Sequence, residues 1–88
     1  MRGKNVNIPG DVLCGELLIR MFGNREIIIE NHKGIHLYTS EEIIITCKHT
    51  MLRICGEKLL IQYFSGCDMK ITGIIQSISY ISKAELCC

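Results

Sequence analysis

From residue 17 onward the chain alternates short apolar clusters with polar breaks. The clusters cover residues 17–22, 26–30, 35–39, 43–47, 51–55, 59–63, 68–72 and 74–81. Each has the length of a strand, and the breaks carry Gly, Asn, Ser, Lys or paired Glu. Short, evenly spaced strands with short links predict antiparallel pairing, because a parallel crossover needs a dozen or more residues. The expected fold class is therefore all-β, a small antiparallel β-meander forming a sandwich or partly open barrel of about seven to eight short strands. The spacing repeats loosely but no residue motif repeats with it, so a β-solenoid is the second choice.

The most informative stretch is Gly23-Asn24-Arg25-Glu26-Ile27-Ile28-Ile29-Glu30-Asn31-His32-Lys33-Gly34-Ile35. Three consecutive isoleucines are stiff at χ1 and favour a pleated sheet. Gly and Asn on either side tolerate the left-handed backbone of tight turns. The block reads as strand, turn, strand, and residues 30–34 read as a rigid turn rather than a recognition loop. Asn31 suits an Asx-turn and Gly34 a positive φ.

Period two assigns the faces. Ile43, Ile45 and Cys47 share one face, with Ile44 and Thr46 opposite. Leu52 and Ile54 form a core pair, because Arg53 between them would be expensive to bury. Met51, Arg53 and Cys55 then point the other way. Across an expected turn at Gly56-Glu57-Lys58, Leu59, Ile61 and Tyr63 continue the core face while Gln62 meets water. Ile71, Gly73 and Ile75 alternate with Lys70 and Thr72 before Ile78 and Tyr80 take over. The phase slips between Ile75 and Ile78, so a bulge or bend is expected at Gln76-Ser77. Gly73 inside the strand fits the same kink.

Composition supports sheet. Sixteen residues are Ile and only Ala84 is Ala, so the best strand formers far outnumber the best helix former. Eighty-eight residues make one domain, with an arm at 1–15, a β domain at 16–81 and a tail at 82–88. One helical turn is expected at residues 11–14. The net charge of +1 lacks the basic excess that phosphate binding needs, so no nucleic-acid partner is expected. No apolar run approaches the length of about 20 residues that spans a bilayer as a helix, so no integral membrane segment is expected. The N-terminal residues have no signal-peptide core. A cytoplasmic location follows as the expectation, with the six cysteines (Cys14, Cys47, Cys55, Cys67, Cys87 and Cys88) reduced and mostly buried.

Few residues offer candidate chemistry. His32 and His36 flank Gly34, on what would be facing strands of a hairpin, and Cys47 and His49 bracket the next break. With Cys55 they are the best guesses for a zinc or small-ligand site, which would need four converging ligands. Exposed turn histidines and core cysteines account for the same residues more simply. A Cys-His nucleophile lacks the helix terminus or cationic setting that lowers a thiol pKa. Glu41 and Glu42 sit in a solvated turn. There is no phosphate-loop sequence. No catalytic residue, cofactor or metal ligand is assigned, and the chain is expected not to be an enzyme.

The order of motifs resembles one known family. Ile8, Pro9, Asp11 and Val12 precede a strand ending in Gly23-Asn24. Ile29-Glu30-Asn31-His32-Lys33-Gly34-Ile35 follows, then Tyr38, Thr39, Glu41 and Ile43. Leu52, Ile54, Gly56, Leu59 and Ile61, and then Ile71, Gly73 and Ile75, complete the pattern. The chain resembles the YabP/YqfC family of sporulation proteins of spore-forming Firmicutes, closest to its YqfC-like members. The resemblance implies a noncatalytic sporulation protein acting through protein–protein contacts in assembly of the spore envelope, cortex or coat. It implies expression in the mother-cell compartment and spore-envelope proteins as partners, and transfers no site residue. A small ligand- or zinc-binding β module is the alternative. Self-association into a homo-oligomer is also expected, because residues 27–29 and 43–45 put isoleucine on both faces of their strands.

Overall fold

A computed structural model describes residues 15–82. Six strands follow one another: β1 (Leu18–Phe22), β2 (Glu26–Glu30), β3 (Gly34–Tyr38), β4 (Glu42–Thr46), β5 (Met51–Phe64) and β6 (Asp68–Ile81). They form a single antiparallel sheet in the order β1-β2-β6-β5-β4-β3. The all-β, antiparallel class is as expected, but the strand count is six. Two pairs of expected strands fuse: 51–55 with 59–63, and 68–72 with 74–81. The order also departs from a plain meander. Strands β3 to β6 are consecutive neighbours, whereas β2 pairs with β6. Most of the expected arm, its helical turn at 11–14, and the tail with Cys87 and Cys88 lie outside the described residues.

Close approach of two backbones explains the fusion. Gly56, expected in a turn, lies inside β5, where an added Cβ would sit 2.0 Å from the Ile74 carbonyl oxygen. Gly73 in β6 has φ +137°, and its Cβ would sit 2.6 Å from the Lys58 carbonyl oxygen. The two glycines let the long strands touch at a shared bend. Gly56 therefore mimics a turn signal in the sequence while serving a continuous ribbon, and Gly73 lies inside its strand as expected. The β5–β6 register slips at three places along this ribbon, and such bulges add bend and twist. One is the slip expected near Ser77: Cys55 pairs with Ser77 and Gly56 with Ile75, which leaves Gln76 over.

The bend divides the sheet into two like units, β1-β2 with the first half of β6, and β3-β4 with the first half of β5. In the first, Glu26, Ile27, Ile28, Ile29 and Glu30 face Thr72, Ile71, Lys70, Met69 and Asp68. In the second, Glu42, Ile43, Ile44, Ile45 and Thr46 face Cys55, Ile54, Arg53, Leu52 and Met51. The ion pairs match as well, Lys70 with Glu26 and Arg53 with Glu42. So do the turns. Arg25 and Asn24 carbonyls accept from Gly73 and Ile75, as Glu41 and Ser40 carbonyls accept from Gly56 and Leu59. A residue motif thus does repeat, as Met-Lys-Ile-Thr-Gly (69–73) against Leu-Arg-Ile-Cys-Gly (52–56). The repeat escapes a linear reading because the second unit lies inside the first.

One core serves both units. Ile27, Ile29, Met69 and Ile71 from the first join Ile43, Ile45, Leu52 and Ile54 from the second in a single cluster, all without solvent exposure. A flat single sheet would leave these side chains bare, so the folded-over halves cover each other. The faces of Ile43, Ile45 and Cys47, of Leu52 and Ile54, and of exposed Arg53 are as the alternation predicts. Three assignments are corrected. Tyr80, expected to take over the core face with Ile78, is 65% exposed. Tyr63 does not continue the core face. A slip after Ile61 pairs Tyr63 with Lys70 and leaves it 48% exposed. Met51 is buried, although its alternation pointed it away from the core. The isoleucine-rich strands β2 and β4 are interior, each with a neighbour on both sides; the sheet edges are β1 and β3.

Candidate functional site

Residues 30–34 do not close a hairpin, because β2 and β3 are not neighbours in the sheet. β6 takes the place beside β2, and the segment instead carries the chain from the first unit to the second. Its backbone is shaped for that crossing, with positive φ at Asn31 (72°) and Gly34 (136°). The Cys67 carbonyl, in the β5–β6 turn, accepts from the backbone N–H of Asn31 (2.8 Å) and of His32 (3.1 Å). Lys33 N–H donates to the Thr46 carbonyl at 2.7 Å. The Asn31 side-chain amide donates to the Glu16 carbonyl at 2.6 Å. One short segment therefore ties together the lead into β1, the β5–β6 turn and the end of β4.

His32 sits at the centre of this joint. It was expected as an exposed turn residue, yet it is 3% exposed. Its Nδ1 accepts the Gly34 N–H at 3.0 Å, so the neutral ring carries its proton on Nε2. The ring stacks on Phe64 with centroids 5.1 Å apart. Nε2 is buried without a hydrogen-bond partner among the described residues. Sequence reasoning found the motif but missed its burial. A single local signal was available: a turn containing an aromatic ring acceptor two residues before a glycine can satisfy its own N–H.

The joint yields a prediction. Nothing lies within 4 Å of a Cβ built on Gly34, so Gly34→Val should act through its backbone alone. We expect a loss of about 1–3 kcal/mol in denaturant unfolding, the usual scale for a β-branched residue forced to positive φ. No change in the midpoint would reject the role of φ.

The other candidate residues do not converge. His36 is exposed at the bulge of β3. Cys47 is a core residue whose thiol donates to the Ile45 carbonyl. Cys55 is half-buried, and Cys67 is exposed rather than buried. His49 lines a cleft of about 170 Å³ with Glu16, Lys48, Thr50 and Tyr80. Among the described residues, no three His, Cys, Asp or Glu side chains group as a metal would require. Glu41 and Glu42 lie at a turn capped by Thr39, whose hydroxyl accepts from both backbone N–H groups. Glu42 pairs with Arg53 on the outer face. This is structural use of a carboxylate, in keeping with a solvated turn.

What the surface does present is apolar. Leu18, Met21, Phe22, Leu60, Tyr63, Phe64 and Tyr80 are each about half exposed or more. On the outer face of the first unit, Leu18 and Phe22 stand opposite Glu30 and Glu26, the carboxylates of the Arg20–Glu30 and Lys70–Glu26 ion pairs. Apolar side chains with interleaved, neutralised charge suit contact with another protein surface.

Comparison with known proteins is consistent with the motif order. The YabP family profile matches residues 15–86. The chain is similar to the "Uncharacterized protein YqfC" of Bacillus subtilis (strain 168), with 29% identity over 78 residues that cover 89% of this chain and 84% of the relative. No solved structure matches. Among the described residues no helix is long and apolar enough to cross a membrane. With the profile extending from the lead into β1 through all six strands, the chain belongs to the YabP family.

Proposed function

We propose that this chain is a noncatalytic sporulation protein that works by protein–protein contact in assembly of the spore envelope, in the mother-cell compartment. The observation that carries the reading is the exposed apolar surface on a domain in which His32, the buried polar residue among those described, lies in the joint between the two units. Among the described residues ten large apolar side chains are exposed, and a contiguous group of such side chains is the usual mark of a protein-contact surface. Family membership supplies the cellular setting. The near-neutral net charge of +1 favours protein partners over nucleic acid.

Deleting the gene from a spore-forming host should leave vegetative growth normal and reduce the yield of mature, resistant spores. A growth defect in vegetative cells, or full spore resistance, would overturn the reading. The zinc-binding alternative is tested by elemental analysis of untagged protein. Stoichiometric zinc in the folded protein would favour it, and metal-free folded protein would remove it.

A further inference from the structure

We infer that β1 is a docking edge for a second copy of this chain, which pairs with its own β1 antiparallel about a twofold axis at Arg20. The inference does not rest on the sporulation reading.

The two sheet edges differ. β3 carries a bulge between Ile35 and Leu37, and the Tyr38 hydroxyl at its end is engaged by the Ile61 N–H at 2.9 Å. Bulges blunt an edge against addition of another strand. β1 has neither device. Its register with β2 is unbroken from Leu18 to Phe22, and it contains no lysine or proline, the other common guards. The Phe22 carbonyl accepts from Arg25 N–H in the turn to β2. Strand alternation then turns the N–H and C=O groups of Ile19 and Met21 outward.

β1 reads Leu-Ile-Arg-Met-Phe, which is palindromic in character about Arg20. In a twofold antiparallel pair centred there, Ile19 and Met21 exchange backbone hydrogen bonds with Met21 and Ile19 of the second copy. Leu18 meets the second copy's Phe22 on the outer face. Every apolar side chain thus faces an apolar one. Leu18, Met21 and Phe22 are 50%, 46% and 51% exposed in the single chain, and this one contact would cover all three. The two Arg20 side chains would oppose each other, an unfavourable pair when uncompensated. Each already has Glu30 of its own chain as partner, so the pair of arginines enters the interface neutralised. Charge therefore permits the register that the apolar pattern selects. An edge of five residues gives a contact at the small end of specific interfaces, so association should be weak.

The experiment is a concentration series of molar mass by light scattering under reducing conditions, from about 10 to about 500 µM, the range of weak specific association. Three variants accompany the wild type, each checked by thermal unfolding. Met21→Pro removes an outward N–H that only the second copy would use. Leu18→Lys places a cation opposite the chain's own Glu30, which keeps the fold while breaking the contact. Leu37→Lys places the same charge on β3. The expected result is a mass climbing from 10.0 kDa towards twice that value for wild type and Leu37→Lys, with Leu18→Lys and Met21→Pro held at the single-chain mass. If Met21→Pro unfolds, folded Leu18→Lys decides. A wild type that stays at the single-chain mass, a dimer that survives Leu18→Lys, or one lost in Leu37→Lys would each overturn the proposal.

Discussion

Leu52→Asp and Ile54→Asp are each expected to unfold the protein at 25 °C, while Arg53→Ala between them costs less than about 1 kcal/mol. Leu52 and Ile54 have no solvent exposure and face Ile45 and Ile43 across β4. A carboxylate there has no cation or donor to meet, and burying it unpaired costs several kcal/mol. A domain of this size holds only about 5–10 kcal/mol in total. Arg53 lies on the outer face, 46% exposed at its side chain, and pairs with Glu42. Such surface pairs contribute between about 0 and 1 kcal/mol. Circular dichroism and urea unfolding of the three variants check the claim. Comparable loss in all three would mean that the face assignment is wrong.

The second large effect is expected at the bend. Gly56→Ala should abolish the native fold or cost more than about 3 kcal/mol, whereas Gly66→Ala should stay within about 1 kcal/mol of wild type. The added methyl at Gly56 would stand 2.0 Å from the Ile74 carbonyl oxygen and 3.2 Å from the Ile75 Cα. Those are backbone atoms of the paired strand, so no rotamer change relieves the clash. Nothing lies within 4 Å of the corresponding position on Gly66. The contrast separates crowding from the general loss of glycine flexibility, which would affect both sites alike. Equal midpoints for the two variants in chemical denaturation would reject the close approach.

The residues that speak plainly in the sequence are those whose environment is set by their own strand. Alternation at Leu52-Arg53-Ile54 marks the inner face because a strand has only two faces, whereas Ile44 is buried on the opposite face from Ile43 and Ile45. The slip at Gln76 is also legible, since it breaks an otherwise regular period. Gly56 misleads because a glycine needed for backbone contact looks like one needed for a turn. His32 misleads for a related reason. Its burial depends on Phe64 and on the Cys67 turn, which the sequence places far away. Alternation puts Tyr63 inward because a bulge at Gln62 leaves no mark in composition. The family motif was visible from its residue order, but its use as a joint between two units needs the pairing of β2 with β6.

That interleaved arrangement also bears on the order in which the chain gains structure. The second unit is contiguous, from Gly34 in β3 through β5, with Thr46 and Met51 paired across a tight link. The first unit closes only when Glu26 reaches Thr72, after β3, β4 and β5 have all been made. Contacts between near neighbours form with little loop-closure entropy, and distant ones wait. The β3-β4-β5 sheet should therefore act as the folding nucleus, with the β1-β2 hairpin docking onto β6 last. Under this order, shortening Ile54 to Val should slow refolding, whereas shortening Ile27 to Val should mainly speed unfolding. The hairpin that docks last is the one that carries the unguarded edge, so that edge joins the complete sheet only in the final step of folding.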